Sequence, residues 1–246
     1  MGLDGPEFYE DAAVFATYQR SRARDETPND TLEKPDLLDL IGDVAGHSVV
    51  DLGCGDAQIG RELLAAGAAS YLGVEPSGNM LQLAQEMLAG TAGQVIQATI
   101  EGWSYPPAAS ADLVISRLAL HYIDDVEQTF RRCYAALAPG GRLVFSVEHP
   151  TITSCDRGWP EGTQRGAWLV DDYHVPGRRV TLWMGQDVVK YHRTVGDYFG
   201  GLQRAGFVVE ALREARPRRE LFLREETYQR RLRIPLFLLL AARKPA

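Results

Sequence analysis

Cysteine is scarce in this chain of 246 residues, which carries only Cys54, Cys133 and Cys155. No two of these cysteines have the CxxC spacing of a zinc site. Three scattered cysteines also cannot form the disulfide framework that stabilises small secreted domains. The scarcity therefore predicts a reducing compartment, and we expect no metal site.

An excess of positive charge is also missing. Lys and Arg together number 26 against 33 Asp and Glu, which gives a formal net charge of -7. Proteins that bind nucleic acid by neutralising phosphates are normally basic on at least one face. We therefore expect no nucleic-acid partner, and a small molecule is the favoured ligand.

Long apolar runs are absent, and the first residues, MGLDGPEFYED, lack the basic and apolar regions of a secretory signal. No stretch reaches the roughly 20 apolar residues that a membrane-spanning helix needs. We therefore expect a cytoplasmic protein without membrane association. A monomer and a homodimer both remain open.

The chain does contain a regular alternation of strand and helix patterns, and its 45% hydrophobic content suits one well-buried domain over residues 1–246. Strands that alternate with helices form a parallel sheet covered on both faces. The predicted strands are HSVVDL, SYLGVE, QVIQATI, ADLVIS, RLVFSVE, FVVEAL and IPLFLLLAAR, and the predicted helices span residues 7–24, 36–45, 58–66, 77–88, 126–137 and 195–205.

Residues 150–193 differ from the rest, because they are rich in Trp, Tyr, Gly, Pro and Arg and have little clear periodicity. We interpret them as an insertion over the carboxyl ends of the strands, where open α/β sheets bind ligands. Residues 1–35 are expected to form a helix and loop of the same lid. Residues 36–149 then form the core, and residues 194–246 form a last helix and the final strands.

The stretch VVDLGCGDAQIG joins a buried strand to glycines, which let the backbone approach a ligand closely. Two kinds of nucleotide site compete for it. A dinucleotide site needs a third glycine where this chain has Gln58, so the fit is poor. Asp51 before the glycines suits a sulfonium or ammonium group, and Glu75 at the end of the next strand suits free ribose hydroxyls.

Four ordered blocks, VVDLGCG, GVEPSGNM, ADLVISRLALHYIDD and LAPGGRLVFSVEHP, carry a family resemblance. The chain resembles the class I S-adenosylmethionine-dependent methyltransferases, specifically their bacterial small-molecule branch. The resemblance implies a Rossmann-like, seven-stranded, mostly parallel sheet whose last strand runs antiparallel. It also implies S-adenosylmethionine as the methyl donor and S-adenosylhomocysteine as the product.

The resemblance further implies a set of cofactor-binding residues. Asp51, Gly53 and Gly55 would surround the methionyl part, Glu75 would bind the ribose, and Thr99 stands where many relatives have an aspartate for the adenine amino group. The complete predicted set is Tyr18, Asp51, Gly53, Cys54, Gly55, Asp56, Gln58, Glu75, Pro76, Met80, Thr99, Ile100, Glu101 and Ser116. Met80 has an alternative interpretation, since a lone methionine on a helix is more often part of the core.

Methyl transfer from a sulfonium needs alignment of the acceptor and, for some acceptors, removal of a proton. His121 and His149 are the predicted bases, because histidine titrates near neutral pH. If a helical turn begins at the end of the fourth strand, Arg117 and His121 share one face. This Arg-x-x-x-His arrangement resembles the acid/base pair of coumarin C-methyltransferases, and the resemblance implies the same pairing here. His192 is more typical of a structural histidine.

The predicted activity is therefore transfer of a methyl group from S-adenosylmethionine to an O, N or C atom of a small aromatic or heterocyclic metabolite. Tyr9, Tyr18, Trp159 and Trp168 are candidate walls for a planar acceptor. Two alternatives remain: a methyltransferase acting on a macromolecule, and a protein that binds S-adenosylmethionine without catalysis. The first would need an open basic cleft, and the second would lack a pocket beside the sulfonium.

Overall fold

A computed structural model describes residues 2–22, 24–158 and 166–246. Seven strands form one sheet in the order β3-β2-β1-β4-β5-β9-β8, and two more form a separate hairpin. The strands are β1 Ser48–Leu52, β2 Ser70–Glu75, β3 Gly93–Gln97, β4 Ala111–Arg117, β5 Leu137–Glu148, β6 Gly177–Trp183, β7 Gln186–His192, β8 Val208–Glu214 and β9 Phe237–Arg243. Strand β9 runs antiparallel to both of its neighbours, and the other pairings in the sheet are parallel. The predicted Rossmann-like sheet is confirmed.

The helices are α1 Gly5–Glu10, α2 Ala12–Arg22, α3 Lys34–Ile41, α4 Gln58–Ala65, α5 Gly78–Leu88, α6 Val126–Ala136, α7 Pro150–Thr153, α8 Val195–Arg204 and α9 Glu225–Arg231. Of these, α4, α5 and α6 connect consecutive parallel strands. The hydroxyl of Ser77 caps α5 by accepting a hydrogen bond from the main-chain N–H of Met80 at 3.3 Å. This cap fixes the direction in which the chain leaves the end of β2.

Strand β9 explains how the sheet is buried on both faces. Its residues Leu239 and Ala241 pack into one apolar cluster, and Leu238, Leu240 and Ala242 pack into the other. Because successive side chains of a strand point to opposite faces, a continuous apolar run identifies a strand covered on both sides. The sheet therefore forms a rigid platform whose strand ends can hold a site.

The N-terminal region differs from the prediction of one helix over residues 7–24. The chain breaks at Asp11, whose carboxylate accepts hydrogen bonds from the N–H groups of Ala13 and Val14 at 2.9 Å each and so starts a second helix. Residues predicted as a loop contain a π-helical turn, Asn29–Glu33, which runs directly into α3. A π-helical turn is rare and often lies at a functional site.

The segment 150–193 also contains more regular structure than its composition indicates. Strands β6 and β7 pair from Gly177 with His192 to Trp183 with Gln186. The main chain of Leu3 bonds to β7 beside Val188, and Phe8 of α1 stacks on Trp183 with ring centroids 5.0 Å apart. The N-terminal helices and this hairpin therefore pack against each other.

No helix in residues 2–22, 24–158 and 166–246 has the length and apolar character needed to cross a membrane. In the same part of the chain, no group of three or more His, Cys, Asp or Glu side chains is arranged to hold a metal ion.

Candidate active site

A cavity of about 660 Å³ lies at the carboxyl ends of β1, β2, β4 and β5. It is continuous from the glycine turn after β1 to the N-terminal helices and the β6–β7 hairpin. The sequence-predicted residues that line it are Tyr18, Asp51, Gly53, Cys54, Gly55, Asp56, Glu75, Pro76, Met80, Thr99, Ile100, Glu101, Arg117 and His121, together with Tyr9 among the predicted aromatic walls.

The glycine turn after β1 needs its glycines for two different reasons. Gly53 has a φ of +73°, and a Cβ built there would lie 2.5 Å from the Cβ of Ala119. Gly55 has a φ of +56°, yet a Cβ there would meet nothing within 4 Å. Gly53 is therefore required by the protein's own packing, whereas Gly55 leaves open space that faces the cavity.

Glu75 is a buried carboxylate at the end of β2. One of its oxygens accepts a hydrogen bond from the N–H of Gly55 at 2.9 Å, and the other accepts from the N–H of Ser77 at 3.0 Å. Burial raises the pKa of Glu75 above its usual value, while these two hydrogen bonds oppose the rise. Each oxygen keeps a free lone pair, so the carboxylate can accept further hydrogen bonds from a ligand.

Asp51 is the second buried carboxylate of the turn. Its Oδ2 accepts a hydrogen bond from the Tyr71 hydroxyl at 2.7 Å, whereas its Oδ1 is buried without a hydrogen-bond partner in the described chain. Burial raises the pKa of Asp51 to about 7. An orphaned carboxylate oxygen beside a cavity is suited to a cationic or N–H group of a ligand, because leaving it unpaired is costly.

Residues that follow β2 and β3 also line the cavity. Thr99 accepts a hydrogen bond from the N–H of Gly102 at 3.0 Å, so its hydroxyl hydrogen remains available. Met80 lines the cavity but is only 3% exposed, so it also belongs to the packing under α5. Pro76, Ile100 and Glu101 complete this wall.

Arg117 and His121 both line the cavity. The helical turn on which their predicted pairing depended is absent between them. Strand β4 continues to Arg117, Leu118 follows with a φ of +54°, and a single 3₁₀ turn begins at Leu120. The Arg117 Nε donates to a Glu33 carboxylate oxygen at 2.6 Å. Arg117 is therefore held by the N-terminal region and not by a shared helix face.

His121 is buried, and burial lowers its pKa to about 4. Its Nδ1 accepts a hydrogen bond from the N–H of Glu148 at 3.4 Å. The neutral imidazole therefore carries its proton on Nε2 and presents a donor there. Beside it, the Lys190 ammonium and the Glu148 carboxylate form an ion pair at 2.6 Å.

Three of the predicted site residues lie outside the cavity lining. His149 follows β5 but contacts Glu214 through Nε2 at 2.9 Å, and its Nδ1 accepts from the N–H of Thr151 at 3.1 Å, which caps α7. The Ser116 hydroxyl donates to the Leu52 carbonyl at 2.7 Å inside the sheet. Gln58 begins α4 and is not among the residues that line the cavity. The side chains of His149 and Ser116 are used by the fold.

His192, which the sequence marks as structural, holds Thr153 and the carbonyl of Tyr173 with its two ring nitrogens, at 2.8 and 2.9 Å. Trp168 does not line the cavity, and its indole N–H donates to the carbonyl of Thr151 at 2.9 Å. Trp159 lies outside the described residues.

Aromatic side chains from the N-terminal helices, the turn after β4 and the β6–β7 hairpin form a further wall of the cavity. The rings of Tyr9 and Tyr18 meet edge to face with centroids 5.2 Å apart, and Trp183 lies 6.4 Å from Tyr9 and 6.5 Å from Tyr18. Tyr122 and Tyr191 line the same cavity. Sequence reasoning did not assign Tyr122, Tyr191 or Arg22 to the site. The β-branched and aromatic residues in VTLW, followed by the MG turn, are the signal that could have located Trp183.

The fold and this site define a class of protein: an α/β enzyme that binds a nucleoside at the carboxyl edge of its sheet. Comparisons with known proteins specify the class further. A family model described as a methyltransferase domain matches residues 50–145. A crystal structure of an S-adenosylmethionine-dependent methyltransferase from Mesorhizobium loti is 39% identical, with a TM-score of 0.79, and the match covers 86% of this chain and 97% of that one.

A crystal structure from Listeria monocytogenes, described as a candidate S-adenosylmethionine-dependent methyltransferase, is 34% identical with a TM-score of 0.81 over 87% of this chain and 97% of that one. A trans-aconitate 2-methyltransferase of Paracidovorax citrulli is 37% identical over 135 residues, which are 54% of this chain and 51% of that protein. The chain belongs to the class I S-adenosylmethionine-dependent methyltransferases, and S-adenosylmethionine is its methyl donor.

Proposed function

We propose that this enzyme transfers the methyl group of S-adenosylmethionine to an O, N or C atom of a small aromatic or heterocyclic metabolite. The observation that carries the proposal is the continuity of the cavity. It runs from the glycine turn and Glu75 to the rings of Tyr9, Tyr18 and Trp183, so a donor and a planar acceptor share one continuous cavity. The similarity to a methyltransferase named for trans-aconitate supports a small acceptor.

The residues of the glycine turn fit this donor chemically. Gly55 leaves open the space that a Cβ would fill, Asp51 offers an unpaired carboxylate oxygen, and Glu75 has lone pairs for two ribose hydroxyls. We infer that Pro76, Met80 and Ile100 contact the adenine and that Thr99 or Glu101 accepts from its amino group.

Bound S-adenosylmethionine supplies a methyl group that is already activated by the sulfonium charge. The chain's own residues therefore need to orient the acceptor and exclude water. Because Nδ1 of His121 accepts a main-chain N–H, its Nε2–H is the group available to hold an acceptor oxygen or nitrogen. His121 removes a proton only after changing tautomer, so the base role of the predicted Arg117–His121 pair gives way to positioning in this proposal.

Parallel calorimetric titrations with S-adenosylmethionine, S-adenosylhomocysteine and NAD test the donor site. We expect micromolar binding of the two sulfur ligands and no binding of NAD. A panel of phenols, carboxylates, amines and heterocycles, assayed for S-adenosylhomocysteine formation, then tests the acceptor class. Binding of the donor without turnover of any acceptor would favour the non-catalytic alternative, and turnover only with RNA or protein would favour the macromolecular one.

The N-terminal helices and the β6–β7 hairpin act in this proposal as a lid. They line the cavity with Tyr9, Tyr18 and Trp183 and are joined by the main-chain contact of Leu3 with β7. This arrangement supports the division into a lid over residues 1–35 and 150–193, a core over 36–149 and a final segment over 194–246. A lid of this kind excludes water and large acceptors from the site.

A further inference from the structure

Glu33 is a buried carboxylate that none of the proposed steps uses. Its side chain is 0% exposed and belongs to the π-helical turn Asn29–Glu33, which precedes α3. A buried charge is costly unless it is paired and hydrogen-bonded. The partners of Glu33 therefore indicate why the chain keeps a carboxylate at this position.

Both oxygens of Glu33 reach the end of the central strands. One accepts a hydrogen bond from Arg117 Nε at 2.6 Å, and the other accepts from the Ser146 hydroxyl at 2.6 Å. The Arg117 Nη2 also donates to the carbonyl of Asn29 at 3.0 Å. The π-helical turn thus fixes two of the three nitrogens of the guanidinium group, which leaves one orientation for the third.

The third nitrogen, Nη1, makes no hydrogen bond within residues 2–22, 24–158 and 166–246. Arg117 lines the cavity and its side chain is 15% exposed, so this nitrogen has solvent or ligand as its partner. Asp51 lines the same cavity as Arg117, and each belongs to one of two paired neighbouring strands, β1 and β4. A free pair of N–H donors and an orphaned carboxylate oxygen therefore belong to one cavity.

This arrangement is complementary to an amino acid zwitterion, which carries an ammonium and a carboxylate on one carbon. We propose that Arg117 binds the α-carboxylate of the methionyl part of S-adenosylmethionine and that Glu33 is the positioning residue that aims it. The inference rests on the proposed placement of Asp51 and the glycine turn around the same part of the donor. Arginine suits the role, because its planar fork recognises carboxylates and stays charged.

Two ligands that differ only in the amino acid part provide the test. S-adenosylhomocysteine contains it, whereas 5′-methylthioadenosine keeps the nucleoside and the thioether sulfur but lacks it. Loss of an aimed charged hydrogen bond should raise the Kd of S-adenosylhomocysteine ~10- to 100-fold in Glu33→Gln. The same variant should change the Kd of 5′-methylthioadenosine less than about twofold, because no contact to that ligand is lost.

Two further variants complete the experiment. Ser146→Ala removes one hydrogen bond of Glu33 but keeps the ion pair, and it should weaken S-adenosylhomocysteine selectively, about three- to tenfold. Glu210→Gln removes a surface carboxylate that pairs with Arg142 and Arg243, and it should change neither Kd. Melting curves would verify that each variant is folded, and Ser146→Ala decides the matter if Glu33→Gln does not fold.

The outcomes are distinguishable. Equal weakening of both ligands in Glu33→Gln and Ser146→Ala would mean that the cluster only stabilises the fold, and unchanged binding of S-adenosylhomocysteine would remove Arg117 from its site. If only the KM of a later identified acceptor changed, the carboxylate bound by Arg117 would belong to the acceptor and the proposal would be overturned. Failure of the wild-type protein to bind either nucleoside would instead refute the proposed function itself.

Discussion

The glycine turn and the aromatic wall line the same cavity, yet they hold their shapes by different means. The turn comes from six consecutive residues, 51–56, and from Glu75, and its groups are main-chain N–H donors and buried carboxylates. The wall combines Tyr9, Tyr18 and Trp183, which are up to 174 positions apart in the chain and meet only as packed rings. Substitutions in the turn should therefore affect donor binding sharply, and a substitution at Trp183 in the wall should affect it little.

The largest effect should come from Gly55→Ala. Gly55 and Gly90 both have positive φ values, +56° and +75°, and a Cβ at either position meets nothing within 4 Å. Gly90→Ala is therefore a matched control for backbone strain of about 1 kcal/mol. We expect both variants to lose similar stability, while only Gly55→Ala loses roughly 100-fold or more in affinity for S-adenosylhomocysteine by calorimetry, because its Cβ occupies the ligand's space. Equal affinities in the two variants would show that the ligand stays away from this turn.

His121→Ala should lower the methylation rate by roughly 100-fold once an acceptor is identified. The expected loss is in kcat, with the affinity for S-adenosylmethionine preserved, because His121 holds the acceptor and not the donor in our proposal. His174→Ala is a suitable control, since His174 is exposed and does not line the cavity. A normal rate in His121→Ala would mean that His121 does not hold the acceptor.

Glu75→Ala should weaken S-adenosylhomocysteine binding by about 1 to 3 kcal/mol, or roughly 5- to 150-fold, because the ribose hydroxyls lose a charged partner. Calorimetry with the 2′-deoxy analogue sharpens the test. The wild-type protein should bind that analogue more weakly than the ribose form, and Glu75→Ala should not distinguish the two. Discrimination that survives in Glu75→Ala would assign the ribose to another residue.

Donor affinity should depend on pH through Asp51, whose pKa is raised to about 7 by burial. Ionised Asp51 attracts the cationic donor, so affinity for S-adenosylmethionine should rise as pH increases through this pKa, up to ~10-fold between pH 6 and pH 8. Asp51→Asn should flatten this dependence. Tyr71→Phe should move its midpoint upward, because the Tyr71 hydroxyl donates to the ionised carboxylate. If the midpoint does not move in Tyr71→Phe, the group that titrates is not Asp51.

The same contrast explains what the sequence could predict. The seven-stranded sheet and the antiparallel β9 follow from the family resemblance. The position of Gly53, Gly55 and Glu75 follows from contiguous patterns, since glycines and a strand-end carboxylate are local signals. No local signal indicates that the chain between Arg117 and His121 is not helical, because a leucine at position 118 does not predict the left-handed conformation that Leu118 adopts. Long-range partners decided the other differences: Glu214 holds His149 outside the cavity.

Glu33 illustrates the same limit from the opposite direction. In the sequence it is one acid within a polar stretch, NDTLEKP, before a helix, and nothing nearby indicates burial. Only the π-helical turn brings its carboxylate against Arg117 and Ser146, which lie 84 and 113 residues further along the chain. The contact between a site residue and a charge that is distant in the sequence can therefore be identified only from the structure.

The smallest effect on donor binding should come from the wall. Trp183 and Leu182 are neighbours on β6, but Trp183 stacks on Phe8, whereas Leu182 is 72% exposed. Trp183→Ala should lower the melting temperature and widen the cavity, because it removes packing between the hairpin and α1. The affinity for S-adenosylhomocysteine should change less than about threefold. Leu182→Ala should alter neither quantity, since its side chain is already in solvent. A loss of donor affinity in Trp183→Ala comparable to that of Glu75→Ala would mean that the two sides of the cavity are not independent and that the hairpin holds the donor as well as the acceptor.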